Sequence, residues 1–218
     1  MGKAWRISPY NKFRNISVKQ NEEASKNDRE DIVENAMCFQ PRSGFCGLAT
    51  VNTVLRSLDK PMYVSYPDRG RGYSMYSLAE YIVQNCAPFV DVQAIFMNPN
   101  TTLEEFRSIL RRYANSSEYR LLANFHRTPL FYSDGSSTWQ RSKRRAWAGH
   151  WSPVGGMITD DDGVDYVLVL DTNSNYGPFM VKLERFYRAV KTQTFHDGYR
   201  GFIKVRIDPF MAESESTI

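Results

Sequence analysis

FQPRSGFCGLATVNTVL, residues 39–55, sets a glutamine, a proline and a glycine ahead of a lone cysteine and then an apolar run. From Cys46 to Leu58 the positions Leu48, Val51, Leu55 and Leu58 keep helical spacing, and Asp59, Lys60 and Pro61 supply the stop. Cys46 therefore stands in the first turn of a helix, where the positive end of the macrodipole favours thiolate over thiol. The competing reading is a packed core thiol, because free cysteine is among the most buried residue types.

The chain around this segment has 218 residues, 42% of them apolar and 24% charged, which suits one globular domain with a core of its own. No repeat, low-complexity tract or linker divides it. A formal charge of +4 admits an anionic partner without pointing to nucleic acid. Cys38, Cys46 and Cys86 form an odd set with no C-x-x-C spacing, which argues against a disulfide framework or zinc knuckle and for a reducing compartment. The stretch MGKAWRISPYNKFRN has no apolar h-region, and Arg6 stands where a myristoylation signal needs Ser or Thr. No stretch is long enough to cross a bilayer, so a cytoplasmic protein is expected.

The chemistry-bearing positions need elements to carry them. Ser77 followed by Glu80 matches a capping box opening SLAEYIVQNCAPF, and Thr102 followed by Glu105 repeats the pattern for TTLEEFRSILRRY. The first half therefore reads as mainly helical, with Cys86 in the core. The period then changes. Residues 119–125 (YRLLANF), 153–159 (PVGGMIT) and 165–171 (DYVLVLD) are short apolar runs between turn residues and predict strands. DDDG at 160–163 suits a hairpin connection, whereas the spacing and closing glutamate of a calcium loop are absent. A short helix at 183–192 and a last strand at 200–207 complete an α+β domain with an antiparallel-leaning sheet.

Three histidines are available as a base: His126, His150 and His196. His150 directly precedes a predicted strand, and the next strand ends at Asp171. Antiparallel neighbours can bring the start of one beside the end of the other. That is the layout a Cys46–His150–Asp171 triad requires. Gln40, six residues before Cys46, could reach back to supply the side-chain amide that an oxyanion needs as a donor. Each residue has an ordinary counterpart: a small buried hydrophobe, a satisfied turn histidine, a strand-end cap and a surface amide. The order Gln, Cys, His, Asp in these settings favours the chemical reading.

The segment around Cys46 resembles the nucleophile segment of phytochelatin synthases, in which a glutamine stands six residues before a Cys-Gly-Leu-Ala helix start. GHWSPVGGM at 149–157 and YVLVLDTNSNYGPFMVKL at 166–183 are similar to that family's histidine and aspartate segments, and NFHR at 124–127 and TTLEEFR at 101–107 have counterparts too. The likeness runs over about residues 36–190. It implies a papain-like fold over a single domain, 1–218, with 1–30 and 209–218 peripheral. It also implies Cys46 as nucleophile, His150 as base, Asp171 as orienter and Gln40 in the oxyanion hole, with substrate contacts from Gly47, Gly149, Ser152 and Arg127. The implied reaction removes glycine from glutathione or a related γ-glutamylcysteine peptide and passes the acyl group to glutathione or water. No cofactor is built in, and zinc or cadmium would enter as thiolates of the substrate.

Two departures bear on the acceptor. Ser174 stands where the family commonly has an arginine, removing a charge-assisted contact to a second glutathione, and no cysteine-rich region follows. Hydrolysis is therefore expected over chain building. The insert at 134–148 is also long, and a loop there would suit a protein substrate. Its run WQRSKRRAW, with four cations between Trp139 and Trp147, admits a third reading as a nucleic-acid contact, although such runs are more often solvated loops.

Overall fold

The nine residues Gly47–Leu55 are all buried, so helix α1 (Cys46–Arg56) runs through the interior instead of showing one face to water. Its polar side chains consequently serve neighbouring segments. Asn52 donates to Val64 O at 2.9 Å and accepts from Val64 N at 2.7 Å, while Thr53 Oγ1 accepts from Cys38 N at 3.0 Å. These bonds strap the chain on either side onto the helix and satisfy groups that burial would otherwise penalise. The turn into α1 passes through Gly44 at φ +88°, where a Cβ would also sit 3.1 Å from the Gly70 backbone.

The computed structural model describes residues 36–57, 63–68, 70, 72–86, 90–131, 149–194 and 198–207. The segments 1–30 and 209–218, the insert at 134–148, Leu58 and His196 lie outside the described residues. After α1 come α2 (Met75–Cys86), β1 (Val90–Phe96), α3 (Leu103–Ile109, continued by a π-helical turn to Ala114), β2 (Tyr119–His126) and the short α4 (Thr128–Phe131). Then follow β3 (Gly149–Thr159), β4 (Asp165–Leu170), β5 (Pro178–Lys182), α5 (Leu183–Val190), the small pair β6 (Gln193–Thr194) and β7 (Gly198–Tyr199), and β8 (Gly201–Ile207). Six strands form one sheet in the order β1-β8-β2-β3-β4-β5, every neighbour antiparallel. No helix among the described residues is long and apolar enough to cross a membrane.

Helices cover both faces. On one, α1 and α2 pack with Leu122, Trp151, Ile203 and Val205; on the other, Phe106, Leu110, Phe186 and Ala189 pack against Leu121, Ala123, Phe125, Val167 and Val169. The expected α+β class, helices first and a mainly antiparallel sheet after, describes this architecture, with two differences. The first half also contributes a strand, β1, whose alternation Val90, Val92, Ala94, Phe96 is the period-2 signal of an element paired with β8. The helix expected to be capped by Ser77 starts earlier, at Met75. Ser74 caps it, accepting from Ser77 N at 3.1 Å while Ser77 Oγ accepts from Ser74 N at 2.8 Å. A reciprocal pair therefore exists, one turn earlier and with serine in the glutamate's place. Thr102 and Glu105 form the capping box as read. In the 160–163 hairpin the Asp160 carboxylate accepts from the N–H groups of Asp162 and Val164, with Gly163 at φ +77°.

One irregularity places the catalytic candidates. Val154 pairs with Val169, but Gly156 pairs with Leu168, so β3 carries a bulge at Gly155. Val154 and Met157, three residues apart, face the same core layer, which regular alternation forbids. Continuing the Val154–Val169 register puts Asp171 opposite Ser152 and on the side of His150. Without the extra residue Asp171 would stand opposite Pro153, on the other face. A Cβ at Gly155 would lie 2.7 Å from Leu168 Cδ2 and 3.2 Å from Leu170 Cδ2. Gly155→Ala is therefore expected to lower stability by about 1–3 kcal/mol in urea unfolding, through crowding of two buried leucines.

Candidate active site

Cys46 is half-buried at the start of α1, and its sulfur meets the His150 ring and the Trp151 backbone N–H. Burial alone would push this thiol up. The hydrogen bond and charge of His150, the Trp151 N–H and the Arg127 charge outweigh it and hold the thiol below its ordinary value. Phe45, at the N-cap, offers no side-chain cap, and the first turn carries no acid that would oppose a thiolate.

His150 lies at the start of β3, almost wholly buried, with Phe125 edge-on to its ring at 5.4 Å and 84°. Its Nε2 lies 2.9 Å from Asp171 Oδ1, so Nδ1 is the ring nitrogen left for the thiol. Burial disfavours the imidazolium, but hydrogen bonds to Asp171 and Cys46 and their charges raise the ring's pKa above the ordinary value. A lowered thiol facing a raised imidazole favours transfer of the proton from sulfur to ring. Asp171 follows β4 directly and has no exposed surface. Burial would raise its carboxyl, yet the His150 hydrogen bond and charge, the Arg127 charge and the Asn173 N–H at 2.8 Å hold it below the usual range.

Gln40 joins this group through its backbone, which donates to Thr172 O at 2.8 Å and so ties the segment leading into α1 to the residue after Asp171. Its Nε2 donates one hydrogen to Arg42 O at 3.2 Å, leaving the second free, and its Oε1 is buried without a partner among the described residues. Cys46, His150, Asp171 and Gln40 thus share one locale built from α1, β3 and the two chain ends beside it.

The four residues expected to touch substrate are placed differently. Ser152 is fully buried and donates to Trp151 O at 2.8 Å, leaving its hydroxyl no face toward a ligand. Gly47 is buried too, and a Cβ there would meet Tyr73, Leu78 and Trp151 at 3.2, 3.5 and 3.6 Å, so its size answers to packing. At Gly149 a Cβ would fall 2.2 Å from Arg200 Nη1; the glycine admits a buried guanidinium that donates to Asn124 Oδ1 at 2.5 Å and Thr192 Oγ1 at 2.9 Å. Arg127 reaches the acid of the expected triad, donating from Nη2 to Asp171 Oδ1 at 2.7 Å and Oδ2 at 2.9 Å, with Tyr176 stacked on it at 4.6 Å. Trp151 N–H and the Asn173 and Tyr176 contacts were not read from the sequence. A backbone donor carries no residue signature, and the other two depend on how the 171–177 turn folds.

The phytochelatin synthase family model matches residues 69–202, which include Arg127, His150 and Asp171 and begin beyond Cys46. The chain belongs to the phytochelatin synthase family. It is 29% identical over 188 residues, 77% of its length, to glutathione gamma-glutamylcysteinyltransferase 1 of Triticum aestivum. It spans 34% of the length of that curated relative. Among the described residues no group of three or more His, Cys, Asp or Glu side chains is placed to hold a metal ion. For a phytochelatin synthase-like site of this geometry, iodoacetamide is expected to alkylate Cys46 well below the ordinary thiol pKa of about 8.5. Cys38 and Cys86, both raised by burial, should stay unmodified under the same conditions. Peptide mass mapping across pH checks this, and His150→Ala should abolish the preference.

Proposed function

We propose that the protein is a cysteine-nucleophile acyltransferase and peptidase that cleaves glycine from glutathione or a related γ-glutamylcysteine peptide, with water favoured as acceptor. The observation that carries this reading is the buried chain of contacts from the Cys46 sulfur through His150 to Asp171. The family membership and the name of the wheat relative supply the substrate class.

In this mechanism the Cys46 thiolate adds to the carbonyl carbon of the Cys–Gly bond. In this reading the oxyanion accepts from the second hydrogen of Gln40 Nε2 and from the Cys46 backbone N–H. As the tetrahedral species collapses, the carbon–nitrogen bond breaks, and His150 gives its proton to the leaving glycine nitrogen. A γ-glutamylcysteinyl thioester remains on Cys46. Neutral His150 then takes a proton from water, the hydroxyl adds to the thioester, and the thiolate leaves. An amine from a second glutathione in place of water would lengthen the chain. Zinc or cadmium takes part as a thiolate of the substrate, and the reading assigns no resident metal.

Two observations favour water. Ser174 sits in a turn that closes on itself, with Tyr176 N and Gly177 N both donating to Asn173 O at 2.9 Å, and it brings no cation to an incoming carboxylate. Arg127, the nearby guanidinium, is engaged with Asp171.

The deciding experiment is mass spectrometry of glutathione incubated with the protein, with and without zinc or cadmium. Free glycine, γ-glutamylcysteine and a thioester on Cys46 are the expected products. Cys46→Ser should remove all three, and persistent glycine release from that variant sinks the proposal. Gln40→Ala is expected to lower kcat by roughly 10²–10³-fold with the alkylation of Cys46 retained. Longer oligomers as the main product would reverse the choice of acceptor, and no turnover of glutathione beside a reactive Cys46 would point to a protein substrate.

A further inference from the structure

Asp171 is a carboxylate with no contact with water, and its two oxygens share one donor nitrogen. Arg127 Nη2 lies 2.7 Å from Oδ1 and 2.9 Å from Oδ2, while His150 Nε2 approaches the same Oδ1 at 2.9 Å. Arg127 Nη2 also lies 2.7 Å from His150 Nε2, a contact in which the guanidinium donates when that ring nitrogen carries no proton. The guanidinium is three-quarters buried, roofed by the Tyr176 ring, and enters from the turn where β2 ends.

We propose that Arg127 is a positioning residue that balances the buried Asp171 carboxylate, so that Cys46, His150, Asp171 and Arg127 form a four-charge cluster of zero net charge. This rests on the Cys–His–Asp reading of the site and deepens it. Thiolate and carboxylate contribute two negative charges, imidazolium and guanidinium two positive ones. Removing the guanidinium leaves a net negative charge in a largely buried site, which is costly to hold and is relieved by proton uptake. Every acid in the cluster then becomes weaker: Asp171 and Cys46 bind protons at higher pH, and the imidazolium holds its own more tightly. Among the described residues the charged and titratable groups of the cluster are Cys46 from α1, His150 from β3, Asp171 from the end of β4, and Arg127 and Tyr176 from the adjoining turns. Among the described residues Arg200 is a further buried cation, lying against Gly149 and held by Asn124 and Thr192. A substrate-binding role makes a different prediction, since a guanidinium that only holds substrate leaves the free thiol's titration unchanged.

The test uses the whole protein without substrate: the rate of Cys46 alkylation by iodoacetamide as a function of pH, read by mass spectrometry. In Arg127→Met the acid limb is expected to move upward by roughly one pH unit. Arg127→Gln, which keeps an N–H donor and loses the charge, should move it likewise, and serves alone if the methionine variant does not fold. Arg127→Lys should return the limb most of the way to that of the parent. Combining Arg127→Met with Asp171→Asn, which removes one charge of each sign and restores zero net charge, should bring the limb back toward that of the parent. A limb that overlays the parent in the methionine or glutamine variant, or a lysine variant as shifted as they are, overturns the proposal. So does a variant with raised KM for glutathione, unaltered kcat and unaltered alkylation. Because alkylation needs no substrate, a protein that fails to cleave glutathione yet shows the shifts refutes the reaction and keeps the cluster.

Discussion

A one-residue offset in β3 decides on which side of the sheet the acid and the base meet. The side chains of an antiparallel pair alternate strictly, so His150 and Asp171 share a face only if the pairing count between them has the right parity. The bulge at Gly155 sets that parity, with Val154 and Met157 both turned toward one core layer. Gly155 also faces Leu168 and Leu170, whose buried side chains occupy the space a Cβ would need. Core packing and site geometry therefore depend on the same irregular residue, and neither can drift independently of the other.

Once His150 and Asp171 share a face, the remaining problem is charge. A carboxylate with no exposed surface is tolerated only when donors and an opposite charge surround it. Asp171 meets that condition with two side-chain cations and the Asn173 N–H. The carboxylate then steadies the imidazolium, and the imidazolium steadies the thiolate, so the lowered thiol at Cys46 is the far end of a chain of compensations that begins at Arg127. The helix tip contributes as well, but the strongest interaction that favours the thiolate is the His150 hydrogen bond.

Much of this was legible in the residues. The strand runs at 119–125 and 165–171, the box at Thr102 and Glu105, and the order of Gln40, Cys46, His150 and Asp171 all correspond to placed elements. What escaped was the information that lives between elements. The alternation in VDVQAIF is a strand signal, but it lies among helices in a half of the chain dominated by 3.6 periodicity. Gly149 and Gly47 look like ligand-facing glycines when read beside a histidine and a cysteine. Only the positions of Arg200, Tyr73 and Trp151 show that packing fixes their size. The bulge is invisible in PVGGMIT because two adjacent glycines do not say which of them is the extra residue.

Arg127 is where these two kinds of information meet, and it bears on the choice of acceptor. A guanidinium near a thioester could serve an incoming substrate's carboxylate, but the one present here has its Nη2 on both oxygens of Asp171 and its face under Tyr176. Drawing it toward a ligand would uncover a buried carboxylate and break its ion pair with Asp171. Ser174, in the same turn, supplies no replacement cation. In the proposed reaction water needs neither charge nor orientation by an arginine to attack the thioester, so a guanidinium committed to its own aspartate supports the proposed choice of water as acceptor.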